Sequence, residues 1–155
     1  MQRSFSLERW FYPDKRPNRP ARILNAASAR MAAAGLGPRR VVSLEVRGRR
    51  SGRTISVPLV VADYQGQRYL ASMLGEGSNW VRNLRAAGGR AVLRHGKREE
   101  VLLEEVDPAE RAPILRRYLE RAPGARPHIP VDRHAPLEEF EKVAPDIPIY
   151  RIVAV

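Results

Sequence analysis

Apolar positions along the chain follow two rhythms. Ile23, Leu24, Ala27, Met31 and Ala34 recur at helical spacing and predict a helix over 21–36, stopped by Gly35 and Gly37. Val42, Leu44 and Val46 alternate, which is the period of a strand over 40–46. The run "VPLVV" marks a second strand over 55–63, apolar enough to be covered on both faces. Pro58 has no N–H for a ladder, so it belongs at an edge or a bulge. "DYQGQ" is a turn into a third strand over 68–73. Ser78 stands where a helix cap belongs, ahead of a helix over 79–87 that Gly88 and Gly89 end. On that helix Trp80, Leu84 and Ala87 share an inward face, and Asn79 and Asn83 sit four apart on another. Strands over 90–94 and 98–106 form a hairpin across "HGK". Asp107, Pro108 and Glu110 open a helix that runs to Glu120. An irregular loop, "RAPGARPHIPVDRHAP", leads to a short helix over 137–143 and a last strand over 147–153.

Most neighbouring strands are joined by turns rather than crossover helices, which favours antiparallel pairing. The fold class is therefore α+β. Six short strands, mainly antiparallel, close toward a small barrel with peripheral helices. No βαβ alternation and no GxGxxG are present, which argues against a Rossmann domain. One domain is expected over 21–155. It is preceded by an arm over 1–20 that carries Trp10, Phe11, Tyr12 and three prolines.

Composition adds bounds. The 155 residues suffice for one domain with a core. There is no cysteine, which removes disulfides, thiolate catalysis and cysteine zinc sites. No apolar run reaches the roughly 20 residues of a membrane span. The first twenty residues lack the apolar segment of an export signal, so the cytoplasm is the default compartment. Net charge is +11, from 25 Arg and 3 Lys against 17 acids. Such a balance suits a polyanionic partner, but an arginine bias across the whole chain gives the same sum. The placement of individual arginines has to decide.

They concentrate in "VRGRRSGRTISVPLV", residues 46–60, where Arg47, Arg49, Arg50 and Arg53 are interleaved with Gly48, Ser51 and Gly52. Strands hold this loop at both ends. Its glycines permit positive φ, and its successive N–H groups can form an anion nest. Guanidinium forks match phosphate and carboxylate. A solvated basic hairpin is the plain alternative. The start of the 79–87 helix adds a second anion-favouring element. An Asn there can donate to and accept from a heterocycle edge.

Together these residues resemble the deazaflavin-dependent nitroreductase family, whose members are split β-barrels related in fold to FMN-binding split barrels. The match runs over 40–106. It rests on Gly48, Arg49-Arg50, Ser51-Gly52, Val57-Pro58-Leu59, Ser72 and Trp80-x-x-Asn83-Leu84. The resemblance implies coenzyme F-420, a deazaflavin with a phosphate and a γ-glutamyl tail. It implies that Arg49, Arg50, Ser51, Gly52 and Arg53 cradle phosphate and tail. Ser56, Val57, Pro58, Ser72, Met73, Trp80 and Asn83 would shape the ring pocket. Hydride transfer to a small organic acceptor follows: a quinone, a nitroaromatic or an activated alkene. Ile55 stands where many relatives carry a basic residue. The tyrosine-rich substrate region of the nitroimidazole-reducing members has no counterpart, so that activity is not carried over.

Ser72 is the first candidate for the proton that follows the hydride, with His128 and His134 behind it. His128, Asp132 and His134 fit no standard zinc spacing, and no metal is expected. His95 reads as part of its turn. FMN, or a tetrapyrrole, is the alternative ligand for the same barrel. A non-enzymatic basic barrel is the third reading. The aliphatic strand faces offer no stacking platforms, so no nucleic-acid partner is expected. A homodimer and a peripheral membrane contact through the arm stay open, the latter giving membrane association at the cytoplasmic face.

Overall fold

A computed structural model of the protein describes residues 19–155. The expected arm, with Trp10, Phe11 and Tyr12, lies outside the described residues except for its last two positions, which open the first helix. The elements are α1 (Arg19–Ala33), β1 (Val41–Arg47), β2 (Thr54–Val60), β3 (Ala62–Tyr64), β4 (Gln67–Ala71), α2 (Asn79–Ala86), β5 (Arg90–His95), β6 (Lys97–Glu105), α3 (Arg111–Arg121), α4 (Leu137–Val143) and β7 (Ile149–Ala154). Short 3-10 turns precede α2 and α3 and follow α3 and α4.

The strands form one sheet in the order β2-β1-β5-β6-β7-β4-β3, and every pairing is antiparallel. It has seven strands, not the six expected. The single strand expected over 55–63 is two: β2 pairs with β1 at one edge of the sheet, and β3 pairs with β4 at the other. Only Val61 lies between them, its N–H donating to the Arg40 carbonyl at 2.7 Å. In a flat sheet of seven strands the edges would stand roughly 29 Å apart, yet one residue spans only about 3.4 Å. The sheet therefore curls until its edges meet at Val61, giving a half-barrel. Pro58 sits opposite Ser43 on the edge strand, where its missing N–H costs least.

Alternation puts Val42, Leu44, Val46, Leu70, Leu93, Val101, Leu103, Tyr150 and Ile152 on one sheet face, against Trp80, Val81 and Leu84 of α2. A second core joins α3 and α4 to Ala62, Ala71, Ile147 and Ile149, with Leu115, Leu119 and Phe140 fully covered. Arg111, at the start of α3, is 3% exposed. Its guanidinium donates to the carbonyls of Val106, Pro145 and Ile147 and reaches Glu105.

Helix α1 has the expected period but buries the other side. Its large apolar residues would ordinarily face a core. Instead Ala29 and Ala32 are its buried residues, 2% and 1% exposed. Ile23, Leu24 and Met31 are exposed, as is Leu36 just beyond the helix. Two alanines let the helix lie close on the sheet, and the bulkier stripe is left outside.

Candidate functional site

The arginine loop is a tight six-residue connection between β1 and β2. The Gly48 N–H donates to the Arg53 carbonyl at 2.8 Å, and the Gly52 N–H donates to the Gly48 carbonyl at 2.9 Å. Two positions require glycine. Gly52 has φ +70°, and a Cβ on Gly48 would stand 2.8 Å from both Ser51 Oγ and Ile55 Cδ1. Ser51 Oγ accepts from the Arg53 N–H at 3.2 Å, a bond within the loop itself.

The loop meets α2. Asn83 Oδ1 accepts from the Arg49 backbone N–H at 3.1 Å and from Arg49 Nη1 at 2.7 Å. Both partners are donors, which fixes the amide oxygen on that side. Asn83 is 2% exposed. The buried alternative wins over a solvated helix face, with the amide oxygen turned to Arg49. Trp80, also buried, meets Tyr150 edge-on, with ring centroids 5.8 Å apart. Val57 packs against the same cluster as Trp80.

Arg47, Arg50 and Arg53 form no ion pair with any described residue, and Arg50 and Arg53 are exposed, as are Ser51, Gly52 and Ser56. Most other strand and helix arginines here are paired: Arg94 with Glu45, Arg68 with Glu99, Arg85 with Glu76 and Glu105. Three unpaired guanidinium groups around one glycine bend are a donor set for an anion with several oxygens.

Ser72 is fully buried. Its hydroxyl donates to the Gly75 carbonyl at 2.8 Å, so the 2.8 Å contact with Ser78 Oγ makes Ser78 the donor of that pair. Ser78 does precede α2, but its side chain makes no cap bond with the helix; it turns to Ser72 instead. Met73 packs against the α3/α4 core, apart from Trp80 and Val57, and Pro58 is half-buried on β2. The expected ring residues thus border two clusters.

Below Trp80 lies a group with little sequence signal beyond strand alternation. Tyr150 is 2% exposed and its hydroxyl has no hydrogen-bond partner among the described residues. Burial pushes it above the usual phenol range, Glu105 adds to the shift and Arg85 opposes it. Arg85 bridges Glu76 at 2.6 Å and Glu105 at 2.7 Å, which holds its proton more tightly still.

The histidines lie elsewhere. His95 Nδ1 is 2.9 Å from the Val41 carbonyl, tying the β5–β6 hairpin to the start of β1. The His134 N–H donates to Asp132 Oδ1 in a local turn. Among the described residues no three His, Asp or Glu side chains gather as metal ligands. A cleft of about 660 Å³ runs over β1, β5, β6 and β7 and touches the loop's ends only through Arg47 and Thr54.

Comparison with known proteins bears on this site. A family model described as F420H(2)-dependent quinone reductase matches residues 22–137. No curated protein matches the sequence. Among solved structures, a protein of unknown function from Agrobacterium tumefaciens str. C58 is similar at 17% identity and TM-score 0.56, over 83% of this chain and 54% of its own. A chain described as a domain-swapped dimer is similar at 17% identity and TM-score 0.52, over 86% and 93%. A heme binding protein from Mycobacterium smegmatis is similar at 16% identity and TM-score 0.50, over 83% and 50%. This chain spans about half the length of the first and third. At these identities the likeness is one of fold.

Proposed function

The chain belongs to the F420H(2)-dependent quinone reductase family, and on that premise we propose that it is a deazaflavin-dependent reductase acting on a small organic acceptor. The observation that carries the reading is the pair of hydrogen bonds from Arg49 to Asn83. They lock the arginine loop onto α2 and leave Arg47, Arg50 and Arg53 beside it, unpaired with any described residue.

The donor set fits the phosphate and carboxylates of a deazaflavin. Arg50, Arg53 and the N–H groups of the Gly48–Gly52 bend would hold phosphate and tail, with Arg49 fixed by Asn83 at the inner side. Val57, Pro58, Met73 and Trp80 would border the ring, with Ser56 at its open edge. When bound, the deazaflavin supplies the hydride-carrying carbon. This chain's part is to hold the ring, exclude water and leave one face open to the acceptor. Ser72 keeps the 72–78 turn in place, since its proton is already given to Gly75. We read it as positioning that turn rather than meeting the reacting atoms. A quinone is the acceptor class we favour, with nitroaromatics and activated alkenes after it, and a closed split barrel and a homodimer are consistent with the reading.

The test is fluorescence titration of the purified protein with F-420, followed by oxidation of the reduced cofactor with menadione. Binding in the micromolar range and turnover are expected. Tighter binding of FMN than of F-420, or no binding of either, overturns the reading. Arg50→Ala with Arg53→Ala should weaken F-420 by about 2–4 kcal/mol and leave the melting temperature unchanged. An equal loss from Arg116→Ala with Arg133→Ala, far along the chain, would reduce the loop to bulk charge.

A further inference from the structure

The cleft over β1, β5, β6 and β7, about 660 Å³, has no role in the reading above. Its volume falls within the roughly 300–1,000 Å³ of small-molecule sites. Val42, Leu44 and Val46 pack with α2, so alternation turns Glu45 and Arg47 to the opposite face of the sheet. On that face Leu102 pairs with Arg90 on one side and Val153 on the other, and Val92 pairs with Glu45. Val92, Leu102 and Val153 are half-buried and form an apolar floor to the cleft.

The acidic side chains of the cleft are already engaged. Glu45 pairs with Arg94 at 3.1 Å and Glu100 with Arg98 at 3.1 Å. Arg47 and Arg90 line the same cleft and form no ion pair with any described residue. Continued by two residues, the register of Glu45 with Val92 sets Arg47 opposite Arg90. Like charges opposite one another on paired strands repel. An oxyanion between the two guanidinium groups removes that repulsion and matches their forked donors. Arg47 is also held from behind. A Cβ on Gly52 would stand 3.7 Å from its Nη2, so the guanidinium rests against the loop backbone. A second copy of the chain would bring acids that are already paired, which disfavours self-association through this face. The lining includes none of Val57, Pro58, Met73 and Trp80, the residues placed at the deazaflavin ring.

We propose that this cleft is a second ligand site, for a small organic anion with an apolar body. The oxyanion head sits between Arg47 and Arg90, and the body lies on Val92, Leu102 and Val153. Carboxylate, sulfonate and phosphate heads share the chemistry that the two guanidinium groups recognise. The binding rests on the cleft alone. Only its separateness from the cofactor refers to the reductase reading.

The experiment is fluorescence titration of the full chain with anilinonaphthalene sulfonate, an apolar body with one anionic head. Phenylnaphthylamine, the same body without the sulfonate, is the neutral control. Saturable binding of the sulfonate in the micromolar range is expected, with the neutral probe about tenfold weaker or more. Arg90→Ala should raise the dissociation constant of the sulfonate about tenfold. Arg90 is exposed, so the fold should hold, and the thermal melt checks it. Val153→Asp, which puts a carboxylate on the floor, should weaken the sulfonate as well. Arg116→Ala, outside the cleft, should change nothing. No saturable binding to the folded protein overturns the proposal. So does an affinity that Arg90→Ala and Val153→Asp leave untouched, or one that Arg116→Ala lowers equally, which would assign it to diffuse charge. Displacement of the sulfonate by F-420 overturns it in favour of one continuous cofactor site. A concentration-dependent dimer of the parent that Arg90→Ala abolishes overturns it in favour of a second copy. Loss of probe binding leaves the reductase reading standing, and failure of F-420 to bind leaves the probe result intact.

Discussion

Asn83 Oδ1 accepts two hydrogen bonds from one arginine, and little in its immediate sequence context announces this. In the pattern, Asn79 and Asn83 are equivalent: same residue type, same helix, four positions apart. In the fold Asn79 is exposed and Asn83 is 2% exposed. The difference arises because the β1–β2 loop folds back onto α2, a contact across 34 positions in the chain. Asn83→Leu should leave the Arg49 N–H and guanidinium without an acceptor and cost about 1–3 kcal/mol in a urea melt. The loosened loop should also bind F-420 more weakly. Asn83→Asp restores the acceptor but places a carboxylate beside the anion site. It should recover stability and not affinity. If Asn83→Leu melts lower yet binds F-420 unchanged, the contact props the fold without orienting the loop. Individual arginines were legible to the same partial degree. Four in seven residues raise the expectation of an anion-binding loop; that Arg49 is the one held by Asn83 depends on a contact with α2 that no local pattern carries.

Elements were more legible than contacts, because capping and periodicity are local. The Asp107 side chain accepts from the Ala109 N–H at 2.9 Å, as Asp-Pro before a helix suggests, though it caps a 3-10 turn leading into α3. Ser78 presents the same cap chemistry and does not cap, because Ser72 reaches it first across the 72–78 turn. Helix α1 shows what periodicity omits: spacing gives the helix, and packing against the sheet decides which side is covered. The junction of α3 with β6 and β7 depends on one side chain the pattern never marked. Arg111 bonds three backbone carbonyls from two separate segments while 3% exposed. Arg111→Met should strand those carbonyls and cost about 3–5 kcal/mol by thermal or chemical denaturation. Arg111→Lys keeps the charge but not the planar fork, so it should recover only part of the loss. Full recovery by lysine would mean that charge, and not the spread of donors, holds the junction.

At the scale of the whole molecule the half-barrel is closed by a single passage of chain. Residues 54–64 supply both edges of the sheet: β2 rides on β1, β3 rides on β4, and Val61 turns between them. The apolar run showed extended structure there but not its division, since a strand that changes partners keeps its alternation. The sequence count of six strands fell short by this one switch. The Val61 N–H bond to the Arg40 carbonyl pins the switch and ties it to the start of β1, the strand whose far end carries the arginine loop. Val61→Pro removes that donor and constrains Val60 as well. The expected cost from the lost hydrogen bond is about 0.5–1.5 kcal/mol. The more telling readout is amide hydrogen exchange. If the edges are coupled through this residue, protection should fall in β2 and β3 together, although six strand spacings of the sheet separate them in pairing order. Protection in α3 and α4, held by their own core, should persist. The bend at Gly48–Gly52 should loosen along with β2, so F-420 affinity should fall even though Val61 belongs to neither the loop nor α2. Loss of protection confined to β3 would show two independent edges that happen to be adjacent, and a sheet curled by its own twist without help from the seam.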